Sequence, residues 1–171
     1  MGCGTMGRIM KTIHIALTVI SWGIFMASLI RIAVVWNSLP DRLGVHFASN
    51  GEFDMIESKN YAAYPYLVSI VILVFCEISA LLSKKIKMGM KISEKGDIKI
   101  RTALRMLIDI LKFGVSFFFS GVWADCVIRQ HPLNTNIPMA IMLIIFFMFC
   151  VFVIASIVIK IKNPPSKSDN F

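Results

Sequence analysis

The chain has 171 residues, 57% of them hydrophobic and 16% charged, with a formal net charge of +8 and a mean hydropathy of +0.74. A soluble domain usually carries about a quarter charged residues, and the apolar surplus here exceeds what one small core can bury, so an ordinary soluble domain is excluded and lipid is the expected solvent. The basic excess lies at the ends of apolar runs and in short connecting segments, which is the pattern of membrane orientation rather than of nucleic-acid binding.

A spanning helix needs about 20 mostly apolar residues, because the hydrocarbon core is roughly 30 Å thick and a helix rises about 1.5 Å per residue. Four segments meet this, at residues 12–35, 64–82, 104–128 and 137–159. The expected fold class is therefore an all-α membrane protein, a four-transmembrane-helix bundle over residues 12–160. Residues 1–11, with Arg8 and Lys11, are expected to be a short, loose cytoplasmic stretch. The first apolar run is too long for a signal-peptide core, and no small-x-small cleavage site follows it, so it reads as a retained helix.

The loop at 36–63 has local structure of its own. Pro40 and Asp41 start a turn, Leu43 to Phe47 alternates like a short strand, and Asn50-Gly51 supplies a reverse turn. The segment at 83–103 is strongly basic. Apolar residues occupy every second position from Lys85 to Ile92, and Ile98 and Ile100 repeat the pattern after Gly96-Asp97. Alternation around a Gly-Asp turn predicts a small cytoplasmic β-hairpin, with a helical extension of the second span as the alternative. The last run, 137–159, has no charged residue, and the tail at 161–171, with Pro164 and Pro165, is expected to be disordered.

Lys and Arg stay on the cytoplasmic side. They crowd the segment from Lys84 to Arg105 and the tail at Lys160, Lys162 and Lys167. The loop at 36–63 instead sets Arg42 and Lys59 against Asp41, Glu52, Asp54 and Glu57. Both termini and the middle loop are thus expected in the cytoplasm, and the loop at 36–63 outside. Trp36, Tyr61, Tyr64 and Tyr66 fall where an outer aromatic belt would lie.

Charges inside spans are costly and need partners. Counting at about 1.5 Å per residue puts Glu77 and Asp109 each about 8 Å, and Lys112 about 12 Å, from the same membrane boundary. Asp109 and Lys112 are also neighbours at i, i+3. The expected contact is Glu77 with Lys112. Near the other boundary, Arg31 and Asp125 are expected to pair if the first and third helices touch. A structural role for these groups is favoured, with an ion or proton path as the alternative. Cys3, Cys76, Cys126 and Cys150 show no metal-type or redox-type spacing, so neither a disulfide nor a metal cluster is expected.

The stretch Leu39-Pro40-Asp41-Arg42-Leu43-Gly44-Val45-His46-Phe47-Ala48-Ser49-Asn50-Gly51-Glu52-Phe53-Asp54 is the most distinctive in the chain. It resembles the signature of the DUF1648 family of bacterial integral membrane proteins, which is related to the N-terminal part of immunity proteins against a sporulation-delaying toxin. The matching positions are Leu39, Pro40, His46, Phe47, Gly51, Asp54, Ser58 and Lys59, and the resemblance covers a third to a half of the chain. Gly44 stands where that family usually has Pro. The resemblance implies a bacterial cytoplasmic membrane and an outer loop that meets an extracellular peptide or toxin. His46 and Asp54 are expected to hydrogen-bond each other or the backbone. A metal site would need more ligands than one loop histidine with Glu52 or Asp54, and a pH-sensing role is open because histidine ordinarily titrates near about 6.5.

No nucleophile–base pair, phosphate loop or zinc motif is present in the sequence. An enzyme is not expected, nor a cofactor or a nucleic-acid partner. The expected partners are the lipid bilayer and an extracellular peptide or toxin, with homo-oligomerisation compatible. The alternative function is a small transporter or channel component that uses Glu77, Asp109 and Lys112.

Overall fold

Each of the four apolar stretches is helical in the computed structural model, which describes residues 3–85 and 92–164. All four helices are long and apolar enough to cross a membrane. They run up, down, up and down. The first is α1 (Cys3–Val35), followed by a strand pair, β1 (Arg42–Phe47) and β2 (Phe53–Ser58), and then α2 (Tyr64–Lys85). The third is one continuous rod made of α3 (Glu94–Val115), a π-helical segment (Ser116–Trp123) and α4 (Ala124–Arg129). The fourth is α5 (Asn136–Lys162).

The third rod is the hub. It packs against α1, α2 and α5, whereas α1 and α2 touch each other little. Its partners are chosen by composition. α5 has no buried residue and packs mainly against the rod, leaving Phe146, Phe147, Ile154 and Ile161 exposed. Such a helix, apolar all round, needs lipid or another chain around it. On α1, α2 and the third rod, by contrast, Ser21, Ser69, Ser116 and Ser120 are fully buried. Small side chains let helices approach closely, and their hydroxyls bond across the gap. Ser116 Oγ donates to the Ser21 carbonyl at 2.8 Å, and Ser120 Oγ donates to Ser69 Oγ at 2.8 Å. Ser28 Oγ donates to the Ser120 carbonyl, inside the π-helical segment. The wider i→i+5 turn is a common feature of functional or close-packed helix sites.

An apolar core runs from Phe25 and Leu73 in the bundle up to the hairpin. Leu43 of β1 is fully buried among Ile32, Leu39, Ala62, Tyr66, Ala124 and Val127. The two strands are antiparallel, with Gly44 opposite Ile56 and Phe47 opposite Phe53, and with bulges on either side of His46. Gly51 closes the turn at φ 87°, a conformation that glycine adopts without a Cβ clash.

Three details differ from the sequence expectations. The helix α1 begins at Cys3, so the stretch expected to be loose is helical from there. The expected hairpin around residues 85–100 is not formed in its second arm: Ile98 and Ile100 lie in α3. The reason is a strong helix start. Ser93 Oγ accepts from the Gly96 amide at 3.3 Å, and Glu94 and Asp97 occupy the first turn, where the helix dipole favours acidic groups. Ile100 is buried by its place on the helix face, not by a strand pleat. The third helix therefore starts ten residues before the expected 104. Residues 86–91, which would form the first arm, and the tail at 165–171 lie outside the described residues.

Candidate functional site

Two sets of polar residues stand out, one inside the bundle and one on the hairpin. The bundle set is built on helical spacing. On α1, His14, Thr18, Ser21 and Ser28 share a face; on the third rod, Asp109, Lys112, Ser116 and Ser120 do the same. Where these faces meet, Lys112 is fully buried. Its Nζ donates to Thr18 Oγ1 at 2.8 Å and to Glu77 Oε1 at 2.8 Å. Asp109 Oδ1 lies 3.1 Å from the same nitrogen, but that oxygen receives no aligned hydrogen bond, so the contact is ionic. An ammonium has three protons to place, and these three neighbours surround it.

The chain continues at both ends. His14 Nδ1 donates to Asp109 Oδ2 at 2.7 Å, and Trp22 Nε1 donates to Glu77 Oε1 at 3.3 Å. His14, Asp109, Lys112 and Glu77 thus form one connected string across α1, α3 and α2. Two carboxylates and one ammonium leave it one negative charge, which a single proton on His14 would balance. Counting depth along the helices brought Glu77 and Lys112 together; His14 and Thr18 were missed. The signal for them was their spacing, since each lies on the same face of α1 as Ser21 and Ser28.

Nearer the hairpin, Arg31 Nη1 donates to Asp125 Oδ1, joining α1 to α4. Arg129 Nε donates to the same oxygen at 3.0 Å, and His131 Nε2 lies 3.5 Å from Asp125 Oδ2. Asp125 is therefore ringed by three bases, and sequence reasoning named one of them.

The hairpin is tied down by residues at the end of the third rod and just beyond it. Gln130, in the left-handed conformation at the end of α4, reaches Gly44 twice. The Gly44 amide donates to Gln130 Oε1 at 2.8 Å, and Gln130 Nε2 donates to the Gly44 carbonyl at 3.2 Å. A side-chain amide thus takes the place that a third strand would take along β1. The Leu133 amide donates to the Gly51 carbonyl at 2.8 Å. Phe47 packs against Phe53 with ring centres 4.5 Å apart and planes tilted by 30°, and meets Trp123 edge-on at 5.9 Å. Gly44 is required by this arrangement: a Cβ there would lie 2.3 Å from the Phe53 ring, and proline would also remove the amide that Gln130 holds.

On the exposed side, His46 Nδ1 donates to Asp54 Oδ1 at 2.6 Å. Lys59 lies 3.6 Å from Asp41 Oδ1 and over the Trp36 ring. Ser58 Oγ accepts from the Asn60 amide and starts the turn into α2. Leu39 is buried, and Pro40 is exposed at the turn. Beside the hairpin, Phe47, Trp123, Leu133, Met139 and Phe146 line an open apolar cleft of about 600 Å³. Among the described residues, no group of three or more His, Cys, Asp or Glu is placed to hold a metal ion, and Cys76, Cys126 and Cys150 are free thiols.

Comparison with protein-family models, with curated proteins and with solved structures gave no match in any of the three.

Proposed function

We propose that the chain is a binding protein of the bacterial cytoplasmic membrane, of the DUF1648 or immunity-like kind, whose hairpin meets an extracellular peptide or toxin. Its four helices cross the bilayer, with both termini in the cytoplasm and the hairpin outside. The supporting charge pattern is the crowding of Lys95, Lys99, Arg101, Lys160 and Lys162 at the end opposite the hairpin. The observation that carries the reading is the unequal edges of the strand pair. β1 is capped by Gln130, while the outer edge of β2 is met only by an exposed Arg42 guanidinium on the Ile56 carbonyl at 3.3 Å among the described residues. Met55 and Ile56 are exposed on that strand. An extended peptide adds to such an edge through its backbone. The acidic balance of Asp41, Glu52, Asp54 and Glu57 over Arg42 and Lys59 favours a cationic one.

The test is a deletion strain challenged with secreted peptides encoded beside the gene. Deletion is expected to raise sensitivity, wild type to restore resistance, and Met55→Lys with Ile56→Lys to fail to restore it. Sensitivity unchanged by deletion counts against the reading.

A second reading is supported by the buried string from His14 to Glu77, whose end side chains keep 17% and 30% exposure while Asp109 and Lys112 keep none. Ionisable strings of this kind serve proton movement in transporters. Proton flux in liposomes that persists after Glu77→Gln removes this reading.

A further inference from the structure

At the basic end of the molecule, a cleft of about 590 Å³ lies between α1 and α3. We propose that it binds the phosphate headgroup of an anionic phospholipid. Its lining divides into two kinds. Met10, Ala103 and Met106 are apolar, while Lys11, Lys99 and Arg105 are cationic. His14 and Asp109 also line it, and they are bonded to each other.

The cations are available. Arg101, on the same helix, is paired with Asp97 at 2.9 Å. Among the described residues, no acidic partner lies within ion-pair distance of Lys11, Lys99 or Arg105. Arg105 Nε makes no hydrogen bond among the described residues. A phosphate oxygen is the acceptor that guanidinium geometry fits best. The carboxylate in the lining, Asp109, is already held by His14 and Lys112.

The apolar wall decides between a lipid and a free phosphate. The cleft sits where both helices change character. On α1, Arg8 and Lys11 give way to Ile13 and Ile15; on α3, Lys99, Arg101 and Arg105 give way to Met106, Leu107 and Ile110. That is the level at which a headgroup meets its acyl chains, and basic pockets between helices on the cytoplasmic side suit such headgroups. A bound headgroup would touch His14, the end of the buried string. The inference rests on the membrane reading and is independent of the peptide reading.

The experiment is native mass spectrometry of the full chain released from mixed phosphatidylglycerol and phosphatidylcholine micelles. One phosphatidylglycerol is expected to be retained in preference to phosphatidylcholine. Lys99→Gln with Arg105→Gln is expected to reduce that preference about tenfold, and exposed Lys11→Gln by a smaller factor. Lys160→Gln with Lys162→Gln removes the same charge from the same end and is expected to leave it intact. Ala103→Trp fills the cleft without changing charge and is expected to abolish retention. Equal loss in the Lys160 and Lys162 variant, or unchanged retention in Ala103→Trp, overturns the site in favour of diffuse surface attraction. Displacement of the lipid by millimolar inorganic phosphate overturns the lipid in favour of a soluble anion. The membrane reading is checked apart from this, by whether the chain stays with the membrane fraction through alkaline carbonate washing.

Discussion

Two histidine–aspartate pairs in this molecule have nearly the same local geometry and opposite surroundings. His46 and Asp54 meet at 2.6 Å on the hairpin, with side chains 56% and 44% exposed. His14 and Asp109 meet at 2.7 Å in the bundle, with exposures of 17% and 0%. Distance alone would rank them as equals. Burial separates them, because water competes for both members of the first pair and for almost none of the second. The exposed pair is an adjustable surface contact, while the buried one belongs to a string in which each charge depends on the next.

The largest expected effect comes from removing the centre of that string. Lys112→Met leaves Asp109 and Glu77 facing an apolar side chain, and loss of one partner of a buried pair costs about 3–5 kcal/mol. Thermal or denaturant unfolding in detergent measures it. Adding Glu77→Gln is expected to recover part of the loss, so that the double variant is more stable than the sum of the single ones by about 1–3 kcal/mol. Strict additivity would show that the 2.8 Å contact between Lys112 and Glu77 carries no coupling. Asp109→Asn is the next step down. Lys112 keeps Glu77 and Thr18, so the expected cost is about 1.5–3 kcal/mol, the range for a hydrogen bond to a charged group. If Asp109→Asn proves as severe as Lys112→Met, His14 contributes more to the string than its partial exposure suggests.

This ranking depends on features with different legibility in the sequence. The four long helices followed from apolar length, and the Glu77–Lys112 contact from similar depth, because helix rise is fixed at about 1.5 Å per residue. The His46–Asp54 contact was one of two options the loop motif offered, the other being the backbone; the second strand, Phe53–Ser58, was not read from the sequence. Gln130 was illegible. It lies 86 residues from Gly44, and nothing local marks a glutamine after a helix end as a strand substitute. The basic segment misled in its second half. Alternating isoleucines at 98 and 100 read as a strand, but the Ser93 cap with Glu94 and Asp97 was the stronger local signal, and it prevailed. The π-helical segment at Ser116–Trp123 has no sequence mark of its own; it lies where the buried serines engage α1 and α2.

Gln130 gives the third prediction. Gln130→Ala removes both hydrogen bonds to Gly44 and exposes the edge of β1. The expected cost is about 1–2 kcal/mol, concentrated in the hairpin. Hydrogen exchange is the suitable measurement: the Gly44 amide is expected to lose protection while amides of α3 keep theirs. Uniform loss across the helices would mean that the hairpin and the bundle fold as one unit. Gly51→Ala attacks the same contact from the other side. Its Cβ would fall 2.0 Å from the Leu133 carbonyl oxygen at a positive φ, so the hairpin is expected to lift from residues 130–135 even with Gln130 in place.

The smallest expected effect falls on the pair with the shortest hydrogen bond of the two compared. His46→Ala or Asp54→Asn removes a contact that solvent already weakens, and exposed ion pairs are worth about 0–1 kcal/mol. Measured at about pH 5, where imidazole side chains carry charge, the loss should shrink further as salt rises from about 0.1 M to 1 M, since the screening length then falls from about 10 Å to 3 Å. Asp109→Asn should show little such salt dependence, because Asp109 and Lys112 have no exposed side-chain surface and His14 little. The two variants measured side by side in low and high salt therefore test the comparison directly. A salt-sensitive Asp109 would place mobile ions inside the cleft beside His14, where Lys11, Lys99 and Arg105 would draw anions first.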